Sequence, residues 1–177
     1  MPASTSPDPP TIIRAAGPHD VALLLELFAE LAEYERLEDE LSGTEEQLTE
    51  AMFGERPAAE ALIAERDTET AGYALFFPTF SSFLASRGVW LEDLFVRPPH
   101  RGAGVGRALL SAVAARARER GDARLEWVAL DWNELALGFY RGLGARTMGE
   151  WVTHRLDGPD LDRVAEEFSE LPVRNRR

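Results

Sequence analysis

Apolar residues recur along the chain in two rhythms, a helical spacing of three and four and a strand spacing of two, and turn residues mark where one gives way to the other. Residues 11–14 read as a first strand. Gly17-Pro18 then opens a helix: Pro18 suits the first helical position, Asp20 the positive dipole end, and Leu24, Leu27, Phe28, Leu31 and Tyr34 form one apolar face. Thr44-x-x-Gln47 is a capping-box signature, so a second short helix is expected, turning Leu48 and Met52 inward and stopping at Gly54. Residues 61–66 and 72–77 predict an antiparallel hairpin, and 89–96 a further strand bounded by Gly88 and Pro98. Residues 107–120 predict a helix with Leu109, Leu110, Val113 and Ala117 toward the core and Gly121 at its end. A strand over 125–130, a helix over 134–143 and two short strands over 145–156 follow. In residues 160–171 the spacing of Leu161, Val164, Phe168 and Leu171 predicts a tail helix that packs on the domain or on a second subunit, with fraying from Pro172 onward.

Interleaved strands and helices without an internal repeat define an α/β (α+β) class. The expected division is a disordered leader over 1–10, which holds four prolines, a single domain over 11–157, and a C-terminal helix and tail over 158–177. At 177 residues such a domain buries a core without disulfides.

Composition narrows the chemistry. The chain has no cysteine, which excludes thiol catalysis and thiolate metal sites. His19, His100 and His154 lie too far apart for a metal-ligand spacing, so no metal is expected. With 31 acidic and 19 basic residues the net charge is −12, a field that repels nucleic acid and anionic membranes and attracts a small cation. The charge is polarised: residues 17–60 hold thirteen acidic residues and two arginines, whereas residues 97–124 hold seven arginines. Neither a bilayer-length apolar run nor a signal-peptide pattern occurs, so a cytoplasmic location is expected.

Between the strand ending at Val96 and the following helix runs Arg97-Pro98-Pro99-His100-Arg101-Gly102-Ala103-Gly104-Val105-Gly106-Arg107. Glycines at 102, 104 and 106 let backbone N–H groups converge on a ligand, and the helix adds its positive end, which makes a seat for phosphate or pyrophosphate. A Walker A loop is excluded because the chain has no lysine, and the dinucleotide fingerprint fails because the next glycine is Gly121. What remains is Arg-x-x-Gly-x-Gly, carried by Arg101, Gly104 and Gly106. About thirty residues on, Asn133-x-x-Ala136-x-x-x-Tyr140-x-x-x-Gly144 places a helix cap, a small residue and a phenol one turn apart. Alone, such a tyrosine is an ordinary core residue; after the glycine loop it joins a two-part pattern.

The two motifs in this order resemble the GNAT superfamily of N-acetyltransferases, in which the first holds the pyrophosphate of coenzyme A. Leu31-Ala32-Glu33-Tyr34-Glu35, Phe53-Gly54-Glu55, Trp90-Leu91-Glu92-Asp93-Leu94-Phe95-Val96 and Asp131-Trp132-Asn133-Glu134 extend the likeness to the diamine (spermidine/spermine) and thialysine acetyltransferases, over residues 12–156. The resemblance implies a mixed central sheet flanked by helices, with a strand pair splayed at the cofactor. It implies acetyl-CoA as cosubstrate, held by Phe95, Val96 and Arg97, by Arg101, Gly102, Ala103, Gly104, Val105, Gly106 and Arg107, and by Asn133, Glu134, Leu135 and Ala136. Tyr34, Glu35, Glu92 and Asp93 would line the amine site, completed by Glu126, Trp127 and Val128, and Tyr140 would serve the thiol leaving group. Where the family places one more acidic contact, within residues 149–152, only Glu150 stands. A homodimer acting on a small cationic amine, with no nucleic acid or membrane partner, is the expected assembly.

The chemistry agrees. A primary amine is protonated at neutral pH and must lose a proton before it attacks a thioester, which calls for a carboxylate; Glu92 is the candidate, with Tyr140 as the acid. Strict alternation puts Glu92 and Asp93 on opposite faces, so both reach the site only if a bulge re-aims one of them, and N–H groups near such a bulge could polarise the acetyl carbonyl. Without cysteine or a Gly-x-Ser-x-Gly elbow, direct transfer in a ternary complex is expected rather than an acyl-enzyme. The alternatives are a non-catalytic acetyl-CoA-binding module, or an acetyltransferase of protein N-termini or aminoglycosides.

Overall fold

The computed structural model describes residues 9–167. The rest of the expected leader, and Phe168 and Leu171 of the tail, lie outside the described residues. Contacts divide the chain into two units, Met1–Val128 and Ala129–Arg177.

The first unit is built on a five-stranded sheet in sequence order: β1 (Ile12–Ala15), β2 (Glu60–Arg66), β3 (Glu69–Ser81), β4 (Ser86–Val96) and β5 (Leu125–Glu126). The first three pairings are antiparallel and the last is parallel, so the sheet is mixed. The β2–β3 turn at Asp67 and Thr68 has positive φ at both residues, the geometry that matches strand twist in a two-residue hairpin. β3 and β4 run several residues farther than the alternation predicts, because the chain pairs through Pro78 and Thr79 to a turn at 82–85.

Helix α1 (Val21–Glu35) covers one face. Leu27 packs with Tyr73 and Phe95, and Leu24 with Met52, Ala61 and Ile63, while Phe28, Leu31 and Tyr34 pack around them as the spacing predicts. The helix starts three residues later than expected: Pro18–Asp20 form a 3-10 turn, and the buried Asp20 carboxylate takes two hydrogen bonds from Arg14, at 2.7 and 2.8 Å, and one from the Gly17 N–H at 2.8 Å. Those bonds, Arg14's first, hold the Asp20 carboxyl below its usual range. Helix α2 (Glu45–Phe53) is closed by the expected capping box, Gln47 N–H to Thr44 Oγ1 and Thr44 N–H to Gln47 Oε1, and ends at Gly54. Alternation sends the buried Leu62, Ala74, Phe76 and Leu91 to the opposite face, where α3 (Val105–Glu119) packs on β3 and β4 with Leu109, Leu110, Val113 and Ala117 buried.

In the second unit, α4 (Glu134–Gly142) and α5 (Gly158–Glu167) are helical as expected. The two strands expected over 145–156 do not form: the segment holds a turn, with the Trp151 N–H on the Met148 carbonyl, and pairs with no strand among the described residues. A period of two makes a strand only where a neighbour completes the ladder, and local pattern cannot supply one. For the same reason β5 stops at Glu126 rather than continuing to 130: its pairing with β4 ends at Trp90, just before the register shift at Glu92. No helix among the described residues is long and apolar enough to cross a membrane.

Candidate active site

The site begins with a register shift. Leu75 pairs with Asp93 and Phe76 with Leu91, so Glu92 is the extra residue of a β-bulge. Before it, Val89 and Leu91 share the α3 face with Phe76; after it, Asp93 and Phe95 share the α1 face with Leu75 and Tyr73. The bulge thus reverses which face odd-numbered residues take. Trp90 precedes it on the α1 side and donates from Nε1 to Glu92 Oε2 at 2.8 Å, so Glu92 and Asp93 are both directed to that side. The sequence condition for both carboxylates to reach one site is met.

Helix α1 ends at the same place. Arg36 adopts a left-handed conformation, with φ 61°, and its N–H caps the last turn, which fixes Tyr34 and Glu35 beside the bulge. Asp93 receives a 3.0 Å hydrogen bond from the Tyr73 hydroxyl. Burial pushes the Asp93 carboxyl up to about 6, against that hydrogen bond and with the negative charges of Glu92 and Glu35 adding to the rise. Burial also raises Glu35. Tyr73 is raised too, by burial first and then by the Asp93 charge. Three carboxylates, Glu35, Glu92 and Asp93, therefore form one acidic cluster around a buried phenol.

Arg101 borders this cluster. Its guanidinium lies 4.6 Å from the Tyr34 ring centre and 6.0 Å from that of Phe95, and its Nε donates to the Val96 carbonyl at 2.9 Å. The motif arginine thus ties the glycine loop to α1 and β4. Arg97, by contrast, spends its side chain on Glu30, Glu26 and the Thr70 carbonyl. Its N–H goes to Ala71, toward β3, so alternation turns the N–H groups of Leu94 and Val96 the other way, to the edge that β5 no longer covers. Phe95 is buried against Tyr73, with its ring centre 6.2 Å away.

The loop fits an anion. Gly102 and Gly104 have φ of 77° and 82°, values an L side chain rarely adopts, and a Cβ on either would meet nothing within 4 Å, so the ground above them is open. Gly104 is the N-cap of α3, and the N–H groups of Val105, Gly106 and Arg107 have no acceptor within the helix. Ala103 is anchored from beneath, its carbonyl accepting from Arg66 at 3.3 Å. Open backbone amides at a helix start, next to a strand edge that β5 leaves unpaired beyond Trp90, suit a pyrophosphate with an extended acyl arm. Gly104→Ala is expected to weaken coenzyme A binding about tenfold by straining this turn; isothermal titration measures it.

Of the remaining residues, Glu126 is the register partner of Trp90 and pairs with Arg124 at 2.6 Å, while Trp127 and Val128 follow the strand's end. Within the second unit, Asn133 caps α4 by accepting from the Ala136 N–H at 3.1 Å, Glu134 and Leu135 lie in the first turn, and Ala136 and Tyr140 stand one turn apart as predicted. Glu150 lies in the turn that replaces the expected strands. Sequence reasoning missed Tyr73, whose only signal is a hydroxyl at a core position of a strand opposite an acidic pair.

The family model described as the acetyltransferase (GNAT) family matches residues 24–145. The chain belongs to that family and is an N-acetyltransferase. It is 34% identical over 165 residues to the thialysine N-epsilon-acetyltransferase of Bos taurus, covering 87% of this chain and 96% of that protein. It is 30% identical over 221 aligned residues to the L-ornithine N5-acetyltransferase of Arabidopsis thaliana, covering 92% and 97%. Among solved structures, an integron cassette protein from the mobile metagenome of V. cholerae superposes with a TM-score of 0.74 at 26% identity, covering 88% of this chain and 98% of that one.

Proposed function

We propose that this enzyme transfers acetyl from acetyl-CoA to a primary amine of a small cationic molecule, a diamine, polyamine or lysine-like amino acid, by direct attack in a ternary complex. The observation that carries the reading is the convergence of Glu35, Glu92 and Asp93 on one face beside the glycine loop. Such a cluster attracts a cation carrying more than one positive charge. The names of the relatives, an ornithine and a thialysine acetyltransferase, support a substrate with a second cationic group.

When bound, acetyl-CoA supplies the acyl thioester. The residues assigned to it are Phe95 to Arg97, with the Val96 N–H on the open edge, Arg101 to Arg107, and Asn133 to Ala136 on α4. Glu92 takes the ammonium proton, directly or through one water, which leaves a neutral nucleophile. Asp93, Glu35 and Tyr34 hold the substrate, with Glu126, Trp127 and Val128 completing that wall. Tyr140 Oη gives its proton to the leaving sulfur. No metal enters the reaction, and the enzyme works as a cytoplasmic homodimer, a stoichiometry that light scattering reads directly.

The test is release of coenzyme A thiol from acetyl-CoA over a panel holding diamines, polyamines, ornithine, lysine, an N-terminal peptide and an aminoglycoside. Turnover with the small amines and none with the last two is expected; turnover confined to the peptide or the aminoglycoside overturns the substrate class. Tyr140→Phe should lower kcat about tenfold to a hundredfold with coenzyme A affinity kept, and an unchanged kcat removes Tyr140 from the chemistry.

A further inference from the structure

Tyr73 is the polar side chain in this face that the reaction does not use. It is fully buried, and its ring packs at 5.2 Å from Phe28 and 6.2 Å from Phe95 in the cluster under α1. A phenylalanine would fill that place with no polar atom to satisfy. Among the described residues the hydroxyl donates to Asp93 Oδ2 at 3.0 Å, and it reaches the carboxylate from the protein side. The register pairs Tyr73 with Phe95, two residues from Asp93 on the same face, so β3 itself sets this reach.

We propose that Tyr73 is a positioning residue for substrate recognition: its hydroxyl holds Asp93 in place from within the core and decides whether that carboxylate meets the substrate's ammonium group as an anion. The proposal rests on the amine-acetyltransferase reading above. Two groups make the task necessary. Glu35 faces Asp93 from α1 and Glu92 stands next to it on β4, and both carry negative charge that favours a proton on Asp93. On β3, Tyr73 is the group that opposes them, because a donor favours the charged carboxylate. The other nearby charge, the Arg101 guanidinium, lies over the Tyr34 and Phe95 rings and donates to the Val96 carbonyl.

The direction follows. Burial has already brought the Asp93 carboxyl up to about 6, so amine binding through it is gained as pH rises through that value. Removing the hydroxyl while keeping the ring takes away this donor and moves the transition upward, by about one pH unit for a hydrogen bond to a charged group. At about pH 6.5 the ionised fraction of Asp93 then falls about threefold, and KM for a diamine rises by that factor; near pH 8.5 the two proteins behave alike.

The experiment is a carbon-13 titration of the Asp93 carboxyl in the ligand-free protein, with the pH dependence of KM and kcat for a diamine beside it. Tyr73→Phe should raise the midpoint and raise KM at acid pH with kcat unchanged at alkaline pH. Phe28→Leu, which loosens the same cluster without touching the hydroxyl, should leave the midpoint alone. Fluorotyrosine at position 73 is a stronger donor on the same frame, so it should lower the midpoint, and it serves where Tyr73→Phe folds poorly. A midpoint that ignores the hydroxyl, or that moves equally in Phe28→Leu, overturns the proposal whatever the activity. A wild-type protein that binds acetyl-CoA but acetylates no amine overturns the functional reading beneath it, and the proposal with it, through a separate measurement.

Discussion

Glu92→Gln is expected to lower kcat/KM for the preferred amine at neutral pH by at least about a hundredfold, within the range a positioned general base contributes, or about 3 kcal/mol or more of barrier. Glutamine keeps the size and can still accept the 2.8 Å hydrogen bond from Trp90, so the bulge should survive. What it lacks is a proton acceptor. The deficit should therefore shrink as pH climbs toward the amine's own pKa, where free amine is supplied by solvent. Coenzyme A affinity should be unchanged, because the loop from Arg101 to Arg107 does not involve Glu92. Initial rates from about pH 6 to 10, with titration calorimetry for coenzyme A, measure both. A rate within threefold of wild type at neutral pH, or a deficit that is flat with pH, assigns the proton to another group, and Asp93 is then next in line.

That assignment was half legible in the sequence, and the missing half is instructive. Adjacent acidic residues on an apolar strand announce an exception to alternation, but the pairing decides which of the two is re-aimed, and only the shift between Leu75 and Phe76 makes Glu92 the extra residue. The bulge also explains why Leu91 and Phe95, four residues apart, face opposite sides. Signals that act within one helical turn were read well: the Thr44 cap and the Asn133 cap both follow from local chemistry. Features needing a distant partner were read poorly. The strands expected over 145–156 lack a neighbour, the bonds of Arg97 to Glu26 and Glu30 join residues some seventy apart, and Tyr73 matters only because β4 brings Asp93 opposite. Charge polarity lay between these cases. The acidic excess of residues 17–60 was countable, yet Glu26, Glu30 and Glu60 are bound to arginines, and of that stretch it is Glu35 that joins the acidic cluster.

Gly72→Ala tests the frame on which that cluster stands, and it should destabilise the protein by about 3 kcal/mol or more. Gly72 lies opposite Val96, and a Cβ built on it would sit 2.2 Å from the Phe95 carbonyl oxygen and 3.0 Å from the Val96 Cα. The obstacle is backbone, so no rotamer change relieves it, and β3 and β4 must part where they hold Tyr73 against Phe95. For a domain of this length such a loss should lower Tm by about 6 to 12 °C. Gly43→Ala is the control, since a Cβ there meets nothing within 4 Å, and it should leave Tm within about 2 °C. Thermal and urea unfolding of both variants read the difference. The clash also predicts a second effect beyond stability: prying β4 from β3 at Phe95 pulls Asp93 from the Tyr73 hydroxyl two residues away. Folded Gly72→Ala enzyme, assayed well below its Tm, should thus show a raised KM for the amine as well. A variant as stable as wild type would mean that the two strands do not approach as closely as this pairing requires, and the bulge that directs both carboxylates to one face would lose its support.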